Sequence, residues 1–176
     1  MRAESDVQVF DGVASIATGD VLLTLWQAPA RRERIRRVTE WTQALTARTP
    51  GTIAACQFLL PTAAPPDPAA VLEAKRGFHA VEQRSRRLIT VPLGDALWHD
   101  VVRTIIRTGV RVFGRAQLIK VASSADDAFA LLGEVSTERS PERAELEAAL
   151  EALYGGLQLR PPRAALREPA RDPVRR

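Results

Sequence analysis

The sequence predicts an α/β domain on a mixed, mostly parallel sheet of four to five strands, opened by a β-hairpin and continued by alternating helices. Three observations carry this. Two apolar runs flank Gly19-Asp20, a turn signal of the hairpin type. Residues 52–60, TIAACQFLL, are β-rich and almost wholly apolar, as suits a central strand covered on both faces. Residues 96–132 read helix, strand, capped helix, and so close a strand–helix alternation.

Each element has a local cause. The run at 7–10 ends at Asp11-Gly12 and predicts a short edge strand. Residues 13–18 and 21–26 form the antiparallel pair, and Pro29 ends the second strand. Residues 31–48 place Ile35, Val38, Trp41 (or Thr42) and Leu45 at helical spacing before Pro50-Gly51 break the pattern. After TIAACQFLL comes the loop PTAAPPDP, in which Asp67 can cap a helix with Pro68 in its first turn. That helix, 68–85, carries Val71, Leu72, Phe78 and Val81, with Gly77 weakening its middle. A short strand at 88–91 stops at Pro92 and Gly94.

ALWHDVVRTIIRTG then aligns Leu97, Val101, Val102, Ile105 and Ile106 on one face, and Gly109 ends the helix. AQLIKVA is a short strand, and SSADDAFALL opens a helix with Ser124 and Asp127 spaced as a capping box. Beyond Gly133 the character changes. A further helix over 140–154 starts at Ser140-Pro141, carries Leu146, Leu150 and Leu153 along one seam, and ends at Gly155-Gly156. The expected organisation is a domain over 1–135, that additional helix, and an Arg/Pro-rich tail over 155–176 too poor in apolar residues to fold. The leucine seam either docks on the sheet or pairs two chains as a homodimer.

Charge and composition narrow the functional classes. The net charge of +4 resides entirely in residues 155–176, while residues 1–154 balance. The basic character therefore belongs to the tail, through which nucleic acid could be contacted. The single cysteine, Cys56, excludes an internal disulfide framework and suits a reducing cytoplasm. No run approaches the ~18 apolar residues of a membrane helix, and the first residues lack a signal-peptide core.

No GxGxxG, Walker A, GxSxG, HExxH or CxxC pattern occurs. His99 and Asp100 are helix neighbours that cannot face each other, and His79 lies on the preceding helix. Two histidines and one cysteine without short spacing make no metal set. Cys56 sits in an apolar strand and reads as a small hydrophobe. Trp26, Trp41 and Trp98 fall on apolar faces and read as core. The sequence thus predicts no catalytic, cofactor-binding or metal-binding residues. Arginines remain. Arg31, Arg32, Arg34, Arg36 and Arg37 crowd a helix start, against the helix dipole. Arg103 and Arg107 stand one turn apart on a polar helix side, with Arg111 and Arg115 beyond, and suit an acidic partner surface.

The strand GDVLLTLWQAP leading into the 31–48 helix, the buried TIAACQFLL and above all RVFGRAQLIKVASSADDAFALL resemble the STAS superfamily, in particular SpoIIAA-like proteins related to anti-sigma factor antagonists. The resemblance covers roughly residues 7–133, and its last piece looks like the family's final strand, Ser-containing turn and terminal helix. It implies protein–protein interaction without catalysis. It also implies a Ser or Thr phosphoswitch at the start of the helix after the third main strand, where phosphate suits a helix N-terminus. The matching stretch is PTAAPPDP, whose only hydroxyl, Thr62, precedes the helix start by several residues and follows no acidic residue. The expected function is a non-enzymatic, cytoplasmic interaction module of regulatory kind that needs no cofactor. The alternatives are a ligand-binding or enzymatic α/β domain with a pocket containing His79 or His99 at the carboxyl ends of the parallel strands, and nucleic-acid association through the tail.

Overall fold

The computed structural model describes residues 6–113 and 117–161. Strands β1 (Gln8–Phe10), β2 (Val13–Thr18) and β3 (Val21–Trp26) lead into helix α1 (Arg32–Arg48). The chain continues through β4 (Ile53–Leu59), α2 (Pro68–Val81), β5 (Ser85–Pro92), α3 (Ala96–Phe113) and β6 (Ile119–Val121). Two further helices follow, α4 (Ala125–Gly133) and α5 (Arg143–Gly156). One sheet holds the strands in sequence order, β1 to β6. The first two pairings are antiparallel and the remaining three parallel. The class is α/β with a mixed, mostly parallel sheet. Its strands number six rather than four to five, because the short run at 8–10 pairs fully with β2.

Side-chain alternation divides the sheet into two faces. Leu23, Leu25, Ala54, Cys56, Phe58 and Ile89 point toward α4 and α5 and form the largest core cluster. Phe58 meets Phe129 of α4 edge-on, with centroids 6.2 Å apart. The opposite face lies under α1, where Trp26 and Val13 meet Val38. Leu22 and Ile53 pack on Leu45 farther along the same helix.

Several expected boundaries move, each for a physical reason. The leucine seam is not left for a second chain: Leu146, Leu150 and Leu153 are buried in the chain's own core, with Ala149 and Tyr154. β2 and β3 expose an apolar face beyond the reach of α4, and α5 covers it. This helix also runs through Gly155 to Gly156, where a Cβ would stand 2.8 Å from Val7 Cγ1. Helix α3 does not stop at Gly109 but continues to Phe113. One interior glycine costs only about 1 kcal/mol, which its neighbours can absorb. Leu97 leaves the expected apolar face and is 73% exposed, since it sits in the first turn beyond the sheet. α2 ends at Val81, and β5 begins at Ser85 rather than at 88. The polar SRR start hides that strand because Arg86 and Arg87 hold carboxylates at its end.

The turn between β2 and β3 anchors this arrangement. Gly19 has φ +57°, as the first central position of a type II′ hairpin requires. Asp20 follows and is 1% exposed. Its carboxylate accepts from Arg86 of β5 at 2.8 Å, from Thr137 at 2.6 Å and from Ser140 at 3.2 Å. Its backbone carbonyl accepts from Ala54 N–H of β4 at 3.0 Å. Arg86 also donates to the Thr52 carbonyl at 2.6 Å. One carboxylate thus ties the hairpin, the start of β5 and the loop between α4 and α5. Burial pushes the Asp20 carboxyl up, but the Arg86 bond, the Thr137 bond and the Arg86 charge outweigh it and hold it below its ordinary value.

Asp20→Ala leaves the buried Arg86 without its counter-ion, so urea unfolding at neutral pH should show a loss of about 3–5 kcal/mol. Because the folded pKa of Asp20 is lowered, its contribution is complete above the unfolded value near ~3.9 and disappears as pH falls through the folded value. Asp20→Asn should therefore flatten the acid limb of the stability–pH curve. An alanine variant within about 0.5 kcal/mol of the parent would contradict the anchoring role.

Candidate functional site

Above the sheet face not covered by α4 and α5 lies a cavity of about 550 Å³. Its floor is Ala55, Gln57 and Leu59 of β4 with Leu88 and Thr90 of β5. These strand residues share one face: Gln57 lies opposite Thr90 in the parallel register, and Ala55 opposite Leu88. One wall is α2, through Val71, Ala74, Gly77 and Phe78, and the other is α3, through Val102, Ile105 and Ile106. Trp26 and Trp98 close the end nearest the carboxyl termini of β3 and β4.

The cavity exists because α2 packs on α1 rather than on the sheet. Gly77 makes that possible. A Cβ there would collide with Thr39 Oγ1 and stand 3.1 Å from Thr39 Cγ2. Thr39 is held in place, its hydroxyl donating to the Ile35 carbonyl at 2.9 Å. Asp67 fixes the other end of α2 by accepting from Ala70 N–H at 2.8 Å. Drawn toward α1, α2 stands off the sheet, and Ala55 and Ala74 are too short to fill the gap. Ala55, Gln57 and Leu59 are accordingly only half-buried, although β4 is a central strand. Trp98 is fixed at the rim by its indole N–H, which donates to the Leu59 carbonyl at 3.2 Å. The indole N–H of Trp26 is buried and has no hydrogen-bond partner among the described residues.

Gln57 and Thr90 are the polar pair of the floor. Neither side chain makes a hydrogen bond to the described residues. His79 and His99 do not line the cavity, so it lacks the histidine expected of an enzymatic pocket. His79 is exposed and lies 3.4 Å from Glu82. His99 and Asp100 are successive residues in the first turns of α3 and form no ion pair with each other. Cys56 faces the α4–α5 core, fully buried, and desolvation pushes its thiol far above the ordinary range. Among the described residues no cluster of His, Cys, Asp and Glu is placed to hold a metal ion. Also among them, no helix is long and apolar enough to cross a membrane. Trp26 is core, whereas Trp41 is partly buried and Trp98 borders the cavity.

Thr62 is exposed in the turn after β4, where Ala63 N–H bonds the Leu60 carbonyl at 2.8 Å. The N-cap of α2 is Asp67, so Thr62 does not occupy the helix start. The arginines of α1 divide. Arg34 fastens the β1–β2 turn, donating to the Asp11 carboxylate at 2.6 Å and the Asp11 carbonyl at 2.7 Å. Arg32 and Arg36 approach Glu73 of α2. Arg37 pairs with Glu40 and lies over the Phe10 ring. Arg103 and Arg107 differ. Both are exposed on α3, and neither makes an ion pair among the described residues. They share the outer arc of that helix with Leu97 and Asp100, opposite the residues that wall the cavity. Arg111 belongs to the last turns of α3, while Arg115 and residues 162–176 of the expected tail lie outside the described residues.

No family model matches the chain, and neither a curated protein nor a solved structure does. The fold and site define a mixed α/β protein with one locked sheet face and one cavity-bearing face.

The contact between Gly77 and Thr39 has a direct test. Gly77→Ala gains helix propensity worth about 1 kcal/mol, yet overpacking against Thr39 should leave a net loss of about 1–3 kcal/mol. The same change in a Thr39→Ala background should be neutral or stabilising. A double-mutant cycle by urea unfolding measures this coupling, and simple additivity would show that the two helices do not touch there.

Proposed function

We propose that this chain is a non-enzymatic protein–protein interaction module, STAS-like and SpoIIAA-like in character, with a regulatory role in the cytoplasm. The sequential strand order, with a hairpin followed by strand–helix alternation, supports the family reading. So does the closing unit of β6, a serine turn and α4, in which Ser124 caps the helix by accepting from Asp127 N–H at 3.1 Å.

The observation that carries the interaction reading is the outer face of α3. Most arginines of α1, α2, β5 and the turn between α2 and β5 are engaged by carboxylates or carbonyls, as at Arg32, Arg34, Arg84 and Arg86. Arg103 and Arg107 are not, and they present two guanidinium groups one helical turn apart, with the exposed Leu97 nearer the start of the same helix. Guanidinium groups on a helix match carboxylates in bidentate fashion. The partner this face fits is a protein with an acidic patch. Charge complementarity of this kind mainly sets encounter rate and selectivity.

Proximity labelling in the source cells with the full chain and with Arg103→Glu/Arg107→Glu tests the reading. The reversed variant should keep the parent's circular dichroism and lose its principal labelled partners. An identical partner set for both proteins would refute the role of this face.

A further inference from the structure

We infer that the cavity beneath α2 and α3 is a binding site for a neutral, predominantly apolar small molecule carrying one hydrogen-bonding head group. Native interiors are close-packed, with few voids larger than a water molecule. The cavity opens to solvent, so it is a cleft rather than an interior void, and its volume of about 550 Å³ falls within the ~300–1,000 Å³ range of small-molecule pockets. It reaches the surface beside Val71, a wall residue that is itself exposed. A ligand therefore has a route in without unfolding the domain.

The chemistry of the wall selects the ligand. Leu59, Leu88, Phe78, Val102, Ile105 and Ile106 present hydrocarbon from all sides. Among the described residues the only charged one of the lining is Arg87, and it is paired on the other face. In the register it stands opposite Ala54 of the α4–α5 core, and its guanidinium lies 3.6 Å from Glu134 at the end of α4. With Arg87 paired to Glu134, the described lining offers no free counter-charge, and an unpaired charge there would be costly. A carboxylate or phosphate head is disfavoured.

Gln57 supplies the polar contact. Its amide is half-buried on the cavity floor and has no hydrogen-bond partner among the described residues, which leaves it free to meet a ligand. It offers both a donor and an acceptor, and the Thr90 hydroxyl lies beside it in the register. Together they suit a hydroxyl, carbonyl or neutral amide on an aromatic or isoprenoid body. The residues that could have closed the space are Ala55, Ala74 and Gly77, the smallest available.

The test uses the full chain and N-phenyl-1-naphthylamine, a neutral apolar fluorophore, displaced at neutral pH by naphthalene, 2-naphthol or 2-naphthoate. The fluorophore should bind with enhanced emission, and 2-naphthol should displace it at about tenfold lower concentration than either naphthalene or 2-naphthoate, the scale of one neutral hydrogen bond. Gln57→Leu should abolish the advantage of 2-naphthol over naphthalene while fluorophore binding and thermal stability persist. Ala74→Phe should fill the space and reduce fluorophore binding. Absence of fluorophore binding by the folded chain would overturn the inference. So would 2-naphthoate binding as tightly as 2-naphthol, or an undiminished 2-naphthol advantage in Gln57→Leu. Partner labelling by the α3 face is read separately, so either proposal can fail without the other.

Discussion

The buried pair Asp20–Arg86 is the constraint on which the other parts depend. It joins three places far apart in sequence: the first hairpin, the first residues of β5 and the loop before α5. A buried pair gains little unless its remaining hydrogen-bonding capacity is used, and here Thr137, Ser140 and the Thr52 carbonyl use most of it, Arg86 Nε alone of the pair's buried atoms finding no partner among the described residues. Gly19 is part of the same device. A side chain there would strike the Arg139 carbonyl and push the α4–α5 loop from the sheet. With that loop fixed, α5 lies across β2 and β3 and seals the larger core.

The two sheet faces then have different characters. One is filled by α4 and α5, with Phe58, Leu23 and Leu153 fully buried. The other is closed only at the α1 side. The close contact at Gly77 and Thr39 holds α2 against α1, and the space over β4 and β5 is left between α2 and α3. α3 has two roles in this geometry. Its inner residues wall the cavity, and its outer arc bears Arg103 and Arg107.

Much of this architecture was legible in the sequence, and the exceptions have common causes. The hairpin, α1, β4 and the Ser124 cap stand where turn signals and periodicity place them, because local chemistry decides them. Long-range pairing was not legible. Ser85-Arg86-Arg87 looks like a helix end or loop until its partners Asp20 and Glu134, remote in sequence, are known. The docking of the Leu146–Leu150–Leu153 seam likewise depends on how much of β2 and β3 α4 leaves uncovered. The arginines crowding the start of α1 stood against the helix dipole with no evident purpose, and Arg34 proves to be a fastener for the Asp11 turn. The cavity was hidden because it is a property of helix spacing. Its signal was present nonetheless: an amide, Gln57, in the middle of an otherwise apolar central strand.

Unequal closure of the two faces is the central claim, and native-state hydrogen exchange measures it most directly. Amides of α5 and of β2 to β4 should exchange only through global unfolding. Amides of α2 and α3 should open at distinctly lower free energy, because the layer beneath them is incompletely packed. Exchange of α5 before α2, or one uniform opening energy for all five helices, would contradict the account.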